Sequence, residues 1–158
     1  MAMDMFIKIA NIPGESKDDK HKGEIDVLAW SWGVSQSGTF HTGGGGGAGK
    51  ANVQDLSFTH YLDKASPKLQ YASLRGTHLA DAVLVVRKAG DKPLEYLKIT
   101  MKKCLVSSCS TGGSGGEDRL TENVTLNFAE VKVEYFEQDD KGAGSAAGDF
   151  SFNIEANK

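Results

Sequence analysis

The segment most suggestive of chemistry is Gly44-Gly45-Gly46-Gly47-Ala48-Gly49-Lys50, which fits the spacing G-x-x-x-x-G-K. In that pattern backbone amides cradle phosphates and the lysine meets the terminal one, but a Ser or Thr must follow to bind Mg²⁺. Here Ala51 follows. The pattern also needs a buried strand before it and a helix after it, so that the amides converge. Ser35 to His41 does not read as such a strand, and Val53 to Tyr61 does not read as a helix. A glycine run meets glycine-spaced patterns cheaply, since Gly44, Gly46 and Gly49 also satisfy G-x-G-x-x-G. Gly112-Gly113-Ser114-Gly115-Gly116 similarly fits the nucleophile elbow G-x-S-x-G, whose triad runs Ser, acid, His along the chain. His21, His41, His60 and His78 all precede Ser114, so that order is impossible, and the segment reads as a turn between strands. The histidines also lack the i, i+3 or i+4 pairing of a helical metal site. Asp18-Asp19, Glu117-Asp118 and Asp139-Asp140 fall in loops and read as solvated acids. No catalytic, cofactor-binding or metal-ligating residue is assigned and no cofactor is expected; an enzyme or toxin acting through Gly44 to Lys50 is the competing reading.

The elements that would position these residues are mostly strands. Met5 to Ile9 reads as the first, ended by Pro13-Gly14, and Glu15 to Glu24 as a charged, solvated loop. Ile25 to Trp32 alternates, with Asp26, Leu28, Trp30 and Trp32 on one face. Two indoles bury much apolar area, so that face is expected on the core, leaving Ala29 and Ser31 toward water or another subunit. Ser37 to Ala51 holds seven glycines and cannot order itself by burial. Ser66-Pro67 predicts an N-cap and first helical residue, with Leu69, Ala72 and Leu74 as the apolar stripe and Gly76 as the stop. Ala82 to Lys88, Tyr96 to Ser108 and Thr121 to Phe136 read as strands, the middle one entered from a turn around Gly90 to Pro93. In the last, Val124, Leu126 and Phe128 give way to Val131, Val133 and Tyr135 after an odd step, which predicts a β-bulge near Ala129-Glu130. Asp139 to Gly148 reads as a small-residue turn before a final strand with Phe150, Phe152 and Ile154. Many strands and one short helix predict a β barrel or sandwich.

At 158 residues there is room for one domain, so 1–158 is read as a single unit. Hydrophobic residues make up 39% and charged residues 25%, an ordinary globular balance. The formal charge of -3, with dispersed Lys and Arg, gives no field for nucleic acid or an anionic membrane. Met1 to Lys8 has no cationic region before an apolar run, and no stretch reaches transmembrane length, so neither a secretory signal nor membrane insertion is expected. Cys104 and Cys109, five apart on one strand, are expected on opposite faces as free thiols.

Several blocks resemble one family. Glu24 to Gly33 with Ser35 to Gly38, Gly47 to Lys50, Asp63 to Pro67, Arg87 to Gly90, Gly112 to Asp118 and Leu120 to Phe128 are similar, in order and spacing, to haemolysin-coregulated protein, Hcp. The resemblance runs from Met5 to about Gln138 and is poor over the last twenty residues. It implies a mainly β fold, a two-sheet β barrel with one short flanking helix, similar to phage tail-tube proteins. It implies a structural, non-enzymatic subunit of the bacterial type VI secretion tube. Six copies would form a homohexameric ring, and rings would stack inside a contractile sheath under a trimeric spike. Small effector proteins would ride in the lumen. The subunit would be cytoplasmic when assembled and secreted on firing without a signal peptide. Ala29 and Ser31 are then candidates for the lumen. Gly43, Gly44, Gly45, Gly46, Gly47 and Lys50 are candidates for the ring-contact and stacking loop, and Gly113, Ser114, Glu117 and Asp118 for a rim turn. A monomeric adhesin or lectin-like module is a third reading, and no sequence block favours it.

Overall fold

The computed structural model describes residues 3–38, 41, 50–90, 93–138 and 144–158. The order is β1 (Met3–Ile9), β2 (Ile25–Asp26), β3 (Ala29–Ser31), β4 (Val34–Ser35), β5 (Asn52–Val53), β6 (Leu56–Tyr61), α1 (Ala65–Arg75), β7 (Leu79–Lys88), β8 (Glu95–Gly112), β9 (Thr121–Gln138) and β10 (Gly144–Asn153). An eight-stranded antiparallel sheet runs β2-β1-β7-β8-β9-β6-β3, with β10 on β9, and β4 and β5 make a small second sheet. The long β8–β9 hairpin is shared by two halves. Its 95–104 end pairs β7, and β9 carries β10 there; its other end pairs β6 and, through it, β3. Ile7, Leu84 and Met101 from one half and Phe58, Val124 and Leu126 from the other belong to one buried core.

The expected barrel is not a closed ladder. The path is open, ending on β2 and β3. These two ends are neighbours in sequence, joined by Val27-Leu28, whose amides donate to Met5 O and Thr59 O respectively (2.9 and 2.8 Å). The segment 25–31 therefore changes partner from β1 to β6 instead of running as one strand. That change also corrects its expected face: Ile25 and Val27 are buried, Leu28 is exposed, and Trp30 and Trp32 only partly pack on the core.

The inside-to-outside switch in β9 is real but has a different cause. Cys104 pairs Phe128 and Lys102 pairs Glu130, so no residue is inserted at Ala129. Instead Ala80, Lys103 and Ala129 all drop out of pairing side by side, with Lys103 at φ +56°. Three strands flip together, which keeps them in register where a bulge in one would shift it. The bulge of β8 falls later, between Val106 and Ser108. It returns Cys109 to the same side as Cys104, correcting their expected opposite faces; both are free thiols. Residues 144–148 belong to β10 rather than to a turn.

The helix begins earlier than its Ser-Pro pair predicts. Lys64 is the N-cap, Asp63 Oδ1 accepts from the Ala65 amide (2.8 Å), and Ser66 is buried. Ala65, Leu69 and Ala72 form the buried stripe, while Leu74 is exposed. Gly76, at φ 63°, closes the helix in the left-handed conformation that lacks a Cβ penalty. The loop expected to be solvated is also packed. Gly14 and Gly23 bond backbone to backbone, His21 stacks 4.3 Å from Phe6, and Arg87 reaches Asp18 Oδ1 (2.6 Å) and Asp4 Oδ2 (3.1 Å). Residues 14–24 thus cover the outer side of β1 and β7, which explains four consecutive buried residues from Leu84 to Arg87.

Candidate functional site

Alternation in a strand sends every second side chain outward, and in the β3-β6-β9-β8 half those side chains share one chemistry. Across the ladder, Ala29 lies beside Thr59, then Asn123, then Ser110; Ser31 lies beside Ser57, then Thr125, then Ser108. The expected lumen residues Ala29 and Ser31 are exposed at one border of this surface. The hydroxyls and amides are tied to each other: Thr59 Oγ1 donates to Asn123 Oδ1 (2.6 Å), and Thr125 Oγ1 contacts the hydroxyls of Ser107 (2.7 Å) and Ser108 (2.6 Å). The bulge at Ser107 is what lets two successive serines meet one threonine. Among the described residues one carboxylate joins the network. Asp55 accepts from Ser107 Oγ at Oδ2 (2.6 Å) and from Asn127 Nδ2 at Oδ1 (2.8 Å).

The expected rim-turn residues lie beyond the end of this surface. Gly113, Ser114, Glu117 and Asp118 form an exposed turn between β8 and β9, in which the Glu117 amide donates to Ser114 O (3.1 Å). Ser114 Oγ accepts from the Gly116 amide (3.4 Å), a turn contact and not a nucleophile's partner. Gly43 to Gly47 lie outside the described residues. Lys50 is exposed and leads into β5, a strand where a phosphate loop would need a helix. It lines a cleft of about 760 Å³ with Asp55, His78, Lys103, Cys104, Asn127 and Glu155, at the place where the three strands flip. The cleft and the turn sit at different heights on the β8–β9 hairpin, so the structure does not bring Lys50 and Ser114 together.

A second polar cluster is buried under α1. His60 Nε2 lies 2.8 Å from Glu122 Oε1, and Gln70 Nε2 donates to Glu122 Oε2 (2.9 Å); both His60 and Glu122 are fully buried. Burial and the neighbouring Glu122 push the Cys109 thiol up to about 12, so it is a poor nucleophile. Burial alone does most of the same to Cys104. The cluster binds helix to sheet, and among the described residues no group of three or more His, Cys, Asp or Glu could hold a metal ion. No helix among them is long and apolar enough to cross a membrane.

Residues 6–135 match the model of the family described as type VI secretion system effector, Hcp. The chain belongs to the Hcp family. It is 62% identical to protein hcp1 of Pseudomonas aeruginosa over 99% of this chain and 98% of that one. Its fold is similar to the crystal structure of Hcp1 from Salmonella typhimurium, at 45% identity and TM-score 0.81 over 100% and 99% of the two chains. It is similar also to a solved type six secretion system protein, at 35% identity and TM-score 0.92 over 99% of each. The family match stops close to where the sequence resemblance fades. The alignment with the Pseudomonas relative nevertheless covers 99% of this chain.

The paved surface was missed in the sequence except for its border. Its signal was present: Asn123, Thr125 and Asn127 alternate with Val124 and Leu126, and Ser57 and Thr59 with Leu56, Phe58 and His60. That these sets lie side by side depends on the register between distant strands.

Proposed function

We propose that this Hcp chain is a non-enzymatic subunit of the type VI secretion tube, closing in six copies into a ring whose channel is lined by the hydroxyl- and amide-bearing face. The observation that carries this reading is the pairing of that face with two open strand edges. Among the described residues, β3 pairs only with β6, and β8 beyond Leu105 pairs only with β9. Unpaired edges invite another strand, and two different edges on one sheet suit a head-to-tail contact that closes into a ring. Continuing the sheet from copy to copy would keep the polar face on one side all the way round. Ala29 and Ser31 then point into the channel, where small effector proteins ride.

In this reading Gly43 to Gly47 and Lys50 contact neighbouring subunits or rings, and the Gly113, Ser114, Glu117, Asp118 turn lies on the rim. Stacked rings run inside the contractile sheath to the trimeric spike, and the subunit leaves the cytoplasm when the sheath fires. Light scattering and electron microscopy of the purified chain test it. Ring particles near six times the 16.9 kDa monomer are expected. A chain that stays monomeric over a wide concentration range would refute the ring. Deleting Gly43 to Gly47 is expected to weaken stacking while leaving monomer stability intact.

A further inference from the structure

His21 is held by carboxylates on both sides. Its Nδ1 lies 2.9 Å from Glu24 Oε2 and its Nε2 lies 2.6 Å from Glu95 Oε1, and the residue is buried. A neutral imidazole has one N–H donor and one bare acceptor nitrogen, so it satisfies only one of these carboxylates. The imidazolium donates to both, and is the form that this geometry fits. The ring is also fixed in its plane, stacked 4.3 Å from Phe6 with 12° between the two planes. His21 and Glu24 belong to the 14–24 segment and Glu95 opens β8, so the histidine ties that segment to the sheet. The remaining charges around it are Asp18 of the same segment, Arg87 of β7, which Asp18 binds, and Asp4 of β1 beyond Arg87. Lys20 and Lys22, its neighbours in the chain, are exposed.

We infer that residues 14–24 are a pH-sensitive strap, clasped by protonated His21 and loosened when that ring gives up a proton. Once it does, one nitrogen turns a lone pair toward a carboxylate, and Glu24 or Glu95 loses its donor. Histidine is the side chain type whose charge changes nearest neutral pH, so the clasp weakens as pH rises. The second tie does not share in that change. The Arg87 guanidinium stays charged and holds the Asp18 carboxyl at about 2, so the pair persists while the His21 end opens. Phe6, and Val85 beside it in the ladder, are buried on the side that the strap covers. Loosening bares this apolar pair and leaves the β1–β7 ladder in place, a surface offered or withdrawn without unfolding the sheet.

Hydrogen exchange from about pH 6 to about pH 9, corrected for intrinsic exchange, tests the strap. The Ser16, His21, Gly23 and Glu24 amides, each bonded within the segment, should lose protection about tenfold, the worth of one charge-assisted hydrogen bond. The β7 amides should keep theirs. Nitrogen NMR of the His21 ring should show both nitrogens protonated where protection is high, and the second proton leaving as protection falls. Glu95→Gln should flatten the response, because a neutral amide donates to a bare nitrogen as readily as it accepts from a protonated one. Asp18→Asn should lower protection by the same factor throughout, since that pair does not titrate in this range. The strap is refuted if wild-type protection ignores pH, if Glu95→Gln keeps the full response, if β7 loses protection in step, or if the ring is singly protonated while the segment is protected. Circular dichroism shows whether Glu95→Gln is folded, and the wild-type exchange and ring spectra decide the matter even where it is not.

Discussion

Glu122→Ala should be among the most damaging single changes in this chain. The carboxylate is fully buried and receives His60 on one oxygen and Gln70 on the other, so it joins β6, β9 and α1 at one point. Truncation leaves a buried imidazole nitrogen and a side-chain amide without their acceptor, and a cavity where the side chain stood. Each buried polar group left unpaired costs about 1–3 kcal/mol, so the two together should cost about 3–5 kcal/mol. At about 2–4 °C per kcal/mol for a domain of this size, the melting temperature should fall by roughly 6–20 °C. Glu122→Gln keeps the volume and one acceptor, and should cost about 1–2 kcal/mol. Urea unfolding of both variants at one protein concentration, so that assembly contributes equally, gives the comparison. Hydrogen exchange should show Leu69 to Arg75 losing protection before β7. A Glu122→Ala cost under about 1 kcal/mol, or equal costs for the two variants, would refute the view that this carboxylate fastens the helix.

Three other outcomes are expected. The Arg87 guanidinium beside Asp18 holds its carboxyl at about 2, below the ordinary 3.8, so the pair's stabilisation is full above pH 4 and is lost as pH falls toward 2. Asp18→Asn should therefore lower stability at neutral pH, and its gap from wild type should close in acid titrations followed by circular dichroism. Asp63 is raised by burial and runs the opposite way, its contribution growing as pH falls, so the Asp18→Asn difference is the cleaner readout. Gly14→Ala should destabilise by about 1–3 kcal/mol, because a Cβ there would stand 2.5 Å from the Glu24 carbonyl oxygen and the backbone must move; calorimetry measures it. Cys104 and Cys109, with thiols pushed up to about 12, should resist iodoacetamide at pH 8 until urea exposes them, as mass spectrometry would record.

Much of the β content was legible because alternation is local. Val124, Leu126 and Phe128 announce a half-buried strand, and Gly76 announces a helix stop, from nearest neighbours in sequence. The glycine-rich phosphate-loop pattern could also be discounted locally, from Ala51, before β5 supplied the strand that follows. Partner choice was not local. Ile25 to Trp32 alternates as one strand, yet its first half pairs β1 and its second half β6, which inverts the face expected for Leu28. Glu15 to Glu24 reads as a solvated loop because Asp18 and His21 find Arg87 and Glu95 only after folding, from about seventy residues away. The flip at Lys103 could be seen in β9 as an odd step, but only the neighbouring strands show that it is shared and needs no inserted residue. By itself the sequence determined which residues alternate, where the helix stops and which family the chain resembles, since those follow from short-range pattern. The tertiary structure decided that Ser31, Ser57, Thr125 and Ser108 form one surface with Asp55 at its border, because hydrogen-bond register between distant strands sets which outward side chains become neighbours.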